Sequence, residues 1–101
     1  MTEFEQRILD VLKMVPKGKV TTYAELARGA GYPNAARAVG NALNKNPQPV
    51  IVPCHRVVLS SGKLGGYAFG VDKKMQVLAA EGVIVKKGRI DNFKEIFYKF
   101  K

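Results

Sequence analysis

Start and stop signals divide the first half of the chain into short helical segments. Thr2 and Glu5 have the spacing of a capping box, which predicts a helix beginning there. Apolar residues then recur at helical spacing until Pro16 and Gly18 end the segment. A chain of 101 residues has room for one domain with a single core, so such segments must pack against one another.

A helix-turn-helix is predicted in the next segment. Thr22 and Glu25 form a second capping box, which opens a short helix through about Arg28. A turn containing glycine and proline follows, and Asn34 is expected to cap a third helix. Two short helices joined by such a turn normally lay the second helix in a DNA groove. That helix carries small residues around Arg37, so it offers little for reading base edges in a major groove.

The second half is predicted to contain short strands and two further helices. Residues 50–52 and 57–59 are apolar and β-branched, which predicts a short hairpin around the cysteine. After a glycine-rich loop, Asp72 is expected to cap a helix, and residues 93–100 have the pattern of a last amphipathic helix. The expected fold is a single domain, 1–101, mainly α with a short β hairpin, resembling a winged-helix type of helix-turn-helix DNA-binding domain.

The charge of the chain indicates an anionic partner without identifying it. Lys and Arg total 17 against 8 Asp and Glu, which gives a net charge of +9. Such a balance is typical of nucleic-acid binders, but it also suits ribosomal proteins, proteins of anionic membranes and merely soluble basic proteins. The lysines do not form a disordered tail; they are scattered as Lys13, Lys17, Lys19, Lys45, Lys63, Lys73 and Lys74.

A single cysteine and a single histidine exclude several classes of protein. One cysteine allows no internal disulfide, which favours a reducing compartment and a free thiol. No apolar run approaches the ~18 residues of a membrane span, and the polar, acidic residues 1–5 do not form a signal peptide. One Cys and one His cannot supply four structural zinc ligands. We therefore expect a cytoplasmic protein, nucleoid-associated if prokaryotic, with no metal and no cofactor.

The cysteine and the histidine are adjacent, in Pro53-Cys54-His55-Arg56-Val57. A thiolate is a strong nucleophile, and an imidazole that titrates near neutrality can accept its proton. Adjacent side chains usually diverge, so the pair would need a bent backbone or a bridging water. The alternative is that the cysteine is a small buried apolar residue and the histidine a structural one.

This motif and its surroundings resemble the O6-alkylguanine-DNA alkyltransferases, whose signature is Pro-Cys-His-Arg-Val. The resemblance extends from about Phe4 to Gly82 and implies a direct, stoichiometric transfer of an alkyl group from guanine O6 in DNA to Cys54. In the related alkyltransferase-like proteins a tryptophan stands at this position, and they bind the lesion without repairing it. The other matching segments, in the order and spacing of the family, are 21–23, 35–40, 46–47, 60–62, 65–67 and 81–82.

The resemblance also implies a role for each catalytic residue. Cys54 would be the nucleophile, connected through a water to His55 and on to Glu81, while Asn46 would brace the turn. Tyr23 would help to rotate the 3′ phosphate and would offer a proton to guanine N3 as the base leaves. The alternatives are that Tyr23 only packs against other side chains and that Glu81 is an ordinary glutamate at a helix end.

DNA contacts and a lesion pocket are implied in the same way. Arg37 would enter from the minor groove and replace the flipped nucleotide, with further DNA contacts from Tyr23, Ala36 and Thr22. A solvated arginine that contacts a phosphate is the alternative. Phe69 stands where the family commonly has a small residue, which predicts weak reaction with bulky O6-benzyl substrates. The implied pocket residues are Leu43, Pro49, Val57, Tyr67 and Ala68.

The sequence thus predicts a single-turnover methylated-DNA–protein-cysteine methyltransferase, monomeric, with O6-alkylguanine-containing duplex DNA as its partner. Most family members have an additional N-terminal domain, and we expect the helix at 93–100, or a partner, to cover the face that this domain would contact. Two rivals remain. One is a module that recognises alkylated DNA and recruits other repair factors, and the other is a structural protein that binds DNA without regard to lesions.

Overall fold

The computed structural model describes residues 2–45 and 52–101 and confirms a mainly α fold with small sheets. No helix in these residues has the length and apolar character needed to cross a membrane. In chain order the elements are α1 (Glu3–Leu12), β1 (Thr21–Thr22), α2 (Tyr23–Gly29), α3 (Ala36–Leu43), a 3-10 turn (Cys54–Arg56), β2 (Val57–Val58), α4 (Val71–Ala80), β3 (Val85–Lys86), β4 (Arg89–Ile90) and α5 (Phe93–Ile96).

The predicted helix starts at Thr2 and Thr22 are confirmed. The Thr2 hydroxyl accepts from the Glu5 amide at 3.1 Å, and the Glu5 carboxylate accepts from the Thr2 amide at 2.8 Å. The Thr22 hydroxyl accepts from the Glu25 amide at 3.0 Å. Helices α1, α2 and α3 pack on one another, and α2 with α3 forms the predicted helix-turn-helix. Their shared core includes the fully buried Ile8, Leu12, Leu26, Ala27, Val39 and Ala42.

The strand at Val57–Val58 is confirmed, but its partner is β1. The two strands run parallel, with Thr21 opposite Val57 and Thr22 opposite Val58. Residues 50 and 51 of the predicted hairpin lie outside the described residues. In the described part of the chain a hairpin is formed by β3 and β4 instead. Because β1 leads directly into α2, its pairing with β2 brings Tyr23 to the segment that carries Cys54.

Two predicted helix caps are wrong. Asn34 lies in the left-handed region with φ 73°, and α3 begins after Ala35 without a side-chain cap. Helix α4 begins after Gly70, and Asp72 lies within its first turn. Asn also favours left-handed turns, and Asp is favourable in the first turn of a helix because of the helix dipole. Asn34 and Asp72 were therefore each compatible with a helix cap and with the position that the residue occupies in the structure.

The predicted last helix is also wrong in extent. Only Phe93–Ile96 is helical, and the chain then becomes extended. Phe97 pairs with Val20, and the Tyr98 amide donates to the Val20 carbonyl at 2.7 Å. The Thr21 hydroxyl donates to the Tyr98 carbonyl at 3.0 Å. Backbone hydrogen bonds to the edge of β1 thus replace those that a longer helix would have made.

Phe100 anchors this C-terminal segment to α2. Its amide donates to the Glu25 carboxylate at 2.7 Å, and Arg28 donates to its carbonyl. Its ring lies against Gly29, where a Cβ would stand 2.6 Å from the ring. The aromatic side chain is 5 % exposed. The segment therefore packs on α2, mainly as extended chain. That it covers the face which an N-terminal domain would contact stays a prediction.

Candidate active site

A cavity of about 670 Å³ opens beside Cys54. It brings together residues from the helix-turn-helix, the 3-10 turn and the glycine-rich loop. Among the described residues, no group of three or more His, Cys, Asp or Glu side chains could hold a metal ion. The lining residues are Tyr23, Ala36, Arg37, Gly40, Asn41, Leu43, Asn44, Cys54, Leu59, Gly66, Tyr67 and Ala68.

The 3-10 turn separates the side chains of Cys54 and His55. Pro53 precedes the turn with φ −80° and ψ 63°, a bend that proline's fixed φ favours. Cys54 lies on the cavity wall and is 6 % exposed, whereas His55 is fully buried. The His55 Nε2 atom lies 3.0 Å from Glu81 Oε2. The backbone is bent as expected, but it directs the two side chains to different neighbours.

The environment of His55 favours a neutral ring. Burial lowers the pKa of His55 and outweighs the opposing effect of the Glu81 carboxylate. A neutral ring with its proton on Nε2 can donate to Glu81, which leaves Nδ1 as the acceptor. Nδ1 is buried and has no hydrogen-bond partner among the described residues. His55 is therefore prepared to accept a proton at Nδ1.

Glu81 connects this histidine to Arg56. Arg56 Nε and Nη2 donate to the two carboxylate oxygens at 2.9 and 2.6 Å, and Nη1 donates to the Val15 carbonyl at 2.8 Å. Burial by itself raises the pKa of Glu81, but the hydrogen bonds from Arg56 and His55 outweigh it, so the pKa lies below its ordinary value. Glu81 therefore stays ionised at neutral pH despite its place just after the end of α4.

Two tyrosines from different elements face Cys54. Burial, together with the nearby Cys54 charge, raises the pKa of Tyr23 above its ordinary value. The pKa of Tyr67 is raised by the same two causes and by a hydrogen bond to Cys54. Gly65, which lies beside the Tyr23 hydroxyl, has a φ of 72°, in the left-handed region that favours glycine. Both phenols keep their protons at neutral pH and can act as donors.

The structure places the other predicted site residues in three groups. Ala36 and the exposed Arg37, both on α3, line the cavity, as do Leu43 and Ala68. Thr22 and Val57 are buried outside the cavity lining. Thr22 caps α2, whereas the Val57 amide donates to the Cys54 carbonyl. The predicted residues Asn46 and Pro49 lie outside the described residues.

Lys74 is a residue of this site that the sequence did not reveal. It is fully buried, not one of the scattered surface lysines. Its Nζ donates to the carbonyls of Val57, Leu64 and Gly66 at 2.7, 2.5 and 3.0 Å. Burial lowers its pKa to about 8, and the Cys54 charge opposes that shift. Lys74 thus joins strand β2 to the glycine-rich loop, whose residues Gly66, Tyr67 and Ala68 line the cavity.

Phe69 does not line the cavity. Its side chain is 56 % exposed, and its ring meets that of Tyr67 edge-on with the centroids 5.6 Å apart. Phe69 can therefore influence the cavity by holding the Tyr67 ring.

Comparison with known proteins places these features in a family. The family described as "6-O-methylguanine DNA methyltransferase, DNA binding domain" matches residues 3–83. A methylated-DNA–protein-cysteine methyltransferase of Methanosarcina acetivorans is 51 % identical over 81 residues, which are 80 % of this chain and 52 % of that protein. A similarly named protein of Mycolicibacterium paratuberculosis is 48 % identical over 80 residues, 79 % of this chain and 48 % of that protein. The chain thus spans about half the length of these relatives.

Solved structures also resemble this fold. The Mycobacterium tuberculosis protein OGT in complex with DNA has a TM-score of 0.79 at 47 % identity, over 80 % of this chain and 50 % of that chain. S. pombe Atl1 in complex with damaged DNA containing O6-carboxymethylguanine has a TM-score of 0.85 at 34 % identity, over 98 % and 97 % of the two chains. With the family match over residues 3–83, these likenesses show that the chain belongs to the 6-O-methylguanine DNA methyltransferase DNA-binding domain family.

Proposed function

We propose that this protein repairs DNA by moving a methyl or other small alkyl group from guanine O6 to Cys54, once per molecule. The observation that carries the proposal is the position of Cys54 on the wall of a cavity, next in the chain to a buried histidine that contacts Glu81. The names of the relatives support the same chemistry. We expect a monomer that acts on duplex DNA in the cytoplasm, where a reducing environment keeps the thiol from being oxidised.

The geometry supports a simple sequence of proton transfers. The Cys54 proton passes to His55 Nδ1, through a water, and the imidazolium is stabilised by Glu81. The thiolate attacks the alkyl carbon, and the bond from that carbon to O6 breaks. The departing guanine anion takes a proton at N3 from the Tyr23 hydroxyl, which stabilises the charge as it forms. The thioether product is inert, so the protein is consumed.

The direct test compares the protein with a Cys54→Ser variant on duplex DNA that contains O6-methylguanine. We expect the parent to restore one guanine per molecule of protein and the variant to restore none, because serine is a far weaker nucleophile than a thiolate. Base composition of the digested DNA measures the repair. The variant should keep its affinity for the duplex, since the exchanged atom lies on the cavity wall. Equal repair by both proteins would contradict the proposal.

Arg37 is proposed to occupy the gap left by the flipped nucleotide. It is exposed, and it stands at the cavity among the small residues of α3, which let the backbone approach DNA. Extrusion of a base costs a few kcal/mol, so Arg37→Ala should slow repair of a duplex roughly 10- to 100-fold at limiting protein. The same variant should react almost normally with single-stranded DNA, which has no base pair to open. An equal loss on both substrates would contradict this role.

A recognition module remains the second candidate. S. pombe Atl1, whose structure was solved in complex with damaged DNA, matches this chain over nearly the full length of both proteins. Such a module would bind alkylated DNA without gaining mass. A merely structural DNA-binding protein would show steep salt dependence and no preference for the lesion. The buried thiol beside His55 and Glu81 favours transfer over both.

Phe69→Gly tests substrate size. We expect weak reaction of the parent with O6-benzylguanine, because Phe69 holds Tyr67 against the cavity. Removal of the ring should free Tyr67 and raise the rate with the benzyl substrate, while the rate with O6-methylguanine DNA changes little. Competition between the two substrates measures this ratio. Efficient reaction of the parent with O6-benzylguanine would contradict the expectation.

A further inference from the structure

The hairpin of β3 and β4 carries an unusual row of like charges. Lys86 stands opposite Arg89 across the hairpin, and Arg89 is also bridged to Lys63 in the neighbouring loop. Directly opposite residues in antiparallel strands project from the same face. Lys63, Arg89 and Lys86 therefore form one row across three chain segments, which we call the basic row. All three side chains are exposed.

The other face of this small sheet fixes it to the core. Val85 pairs with Ile90, and Ile90 packs in an apolar cluster with Val20, Val58 and Leu64. Backbone bonds continue the attachment, since the Ile90 amide donates to the Gly62 carbonyl at 2.8 Å and the Leu64 amide to the Gly88 carbonyl at 3.2 Å. The basic row is thus held on a packed layer, not on a free loop.

The basic row is expected to destabilise the folded protein unless an anion binds to it. Like charges directly opposite each other destabilise a sheet. Within residues 2–45 and 52–101 none of the three cations is in an ion pair with a carboxylate. Arg89 donates to the Ser61 carbonyl at 3.3 Å, a contact that leaves its charge uncompensated. The arrangement is therefore better suited to a polyanion than to the isolated protein.

The row begins close to the lesion cavity. Leu59, which lines the cavity, donates its amide to the Lys63 carbonyl at 2.9 Å. Strands lie about 4.8 Å apart, so three segments span roughly 10 Å. This is about the axial rise of three phosphate-to-phosphate steps on one DNA strand, at ~3.4 Å each, so the row spans about four consecutive phosphates. A duplex seated at the cavity would bring its backbone within reach of the row.

We propose that the basic row binds phosphates of the same duplex that presents the lesion, beside the contacts of the helix-turn-helix. The row includes β3 and β4, which lie beyond the family match over residues 3–83. This inference rests on the proposed function for its DNA partner. It adds a second, sequence-independent contact surface that holds the duplex while the base is flipped.

The test measures affinity against salt for a short fluorescent duplex, with and without O6-methylguanine. In the Cys54→Ser background, which prevents transfer, we expect the triple change Lys63→Gln, Lys86→Gln and Arg89→Gln to reduce the slope of log K against log salt by roughly two to three. The loss should be equal for both duplexes. Lys86→Gln alone should reduce the slope by about one. Because like-charge repulsion is removed, the melting temperature should stay the same or rise.

A charge control separates local contact from general attraction. Lys13→Gln with Lys17→Gln removes two cations at the end of α1 and in the turn after it, where neither residue lines the cavity. The proposal would be overturned if this double variant reduced the salt slope as much as the triple variant does, or if the triple variant did not reduce it. With Cys54 restored, the triple variant should need a higher concentration of lesion-containing duplex than the parent for half-maximal alkyl transfer, and an unchanged half-maximal concentration would also overturn the proposal. If the parent protein takes up no alkyl group, only the proposed function is contradicted, because the salt dependence of DNA binding tests the basic row separately.

Discussion

Glu81→Gln should both destabilise the protein and slow alkyl transfer. The buried carboxylate satisfies His55 and Arg56 together, and an amide can accept only part of these bonds. Leaving Arg56 largely buried without its counter-charge should cost about 2–4 kcal/mol, measured by urea unfolding. If Glu81 orients His55 as the proposed base, its loss should slow transfer at saturating DNA by roughly 10²- to 10⁴-fold.

A second variant distinguishes orientation from stability. Arg56→Gln should also destabilise the protein, but it keeps the 3.0 Å contact between His55 and Glu81. Its transfer rate, measured where the protein is fully folded, should stay within about tenfold of the parental rate. A tenfold change in rate corresponds to about 1.4 kcal/mol in the activation free energy. The carboxylate raises the pKa of His55, so in Glu81→Gln the decline of the rate in acid should move to lower pH. Equal rates for the two variants would show that Glu81 acts only on the fold.

Lys74→Met should be the most damaging substitution on α4. The change removes the donor shared by three backbone carbonyls, two of them in the loop before Tyr67. The variant loses charge-assisted hydrogen bonds but no longer has to bury a charge. The net effect should lower the free energy of unfolding by about 2–4 kcal/mol. Because that loop forms the cavity wall, preference for O6-methylguanine over guanine DNA should fall as well.

Lys73→Met provides the matched control. Lys73 is the preceding residue of the same helix and is exposed. Its substitution should change the free energy of unfolding by no more than about 0.5 kcal/mol. If the two variants unfold at the same urea concentration, Lys74 does not hold the loop as described.

Local signals in the sequence were sufficient for much of the fold and the site. The capping residues Thr2 and Thr22 act on amides three residues away, so spacing alone revealed them. The Cys54–His55 motif and the small residues of α3 likewise lie within short segments. Matching segments in the family order then led to Glu81, whose contact with His55 spans 26 residues.

Features that depend on distant partners could not be predicted. The pattern at 93–100 showed an apolar face but not the extended chain at Val20, just before β1, whose carbonyl accepts the backbone bond of Tyr98. Lys74 looked like its neighbour Lys73, because nothing in the sequence shows three carbonyls converging on its amine. The basic row is hidden in the same way, since strand register alone sets Lys63 and Lys86 on either side of Arg89.

Covalent capture of the alkyl group by Cys54 is the central claim, and mass spectrometry tests it most directly. The protein should be incubated with duplex DNA carrying O6-methylguanine, digested, and compared with a sample exposed to unmodified duplex. We predict that one methyl group is added to the peptide containing Cys54, in proportion to the lesion supplied and only with the damaged duplex. A folded protein that binds this DNA while its Cys54 peptide keeps its original mass would contradict the account.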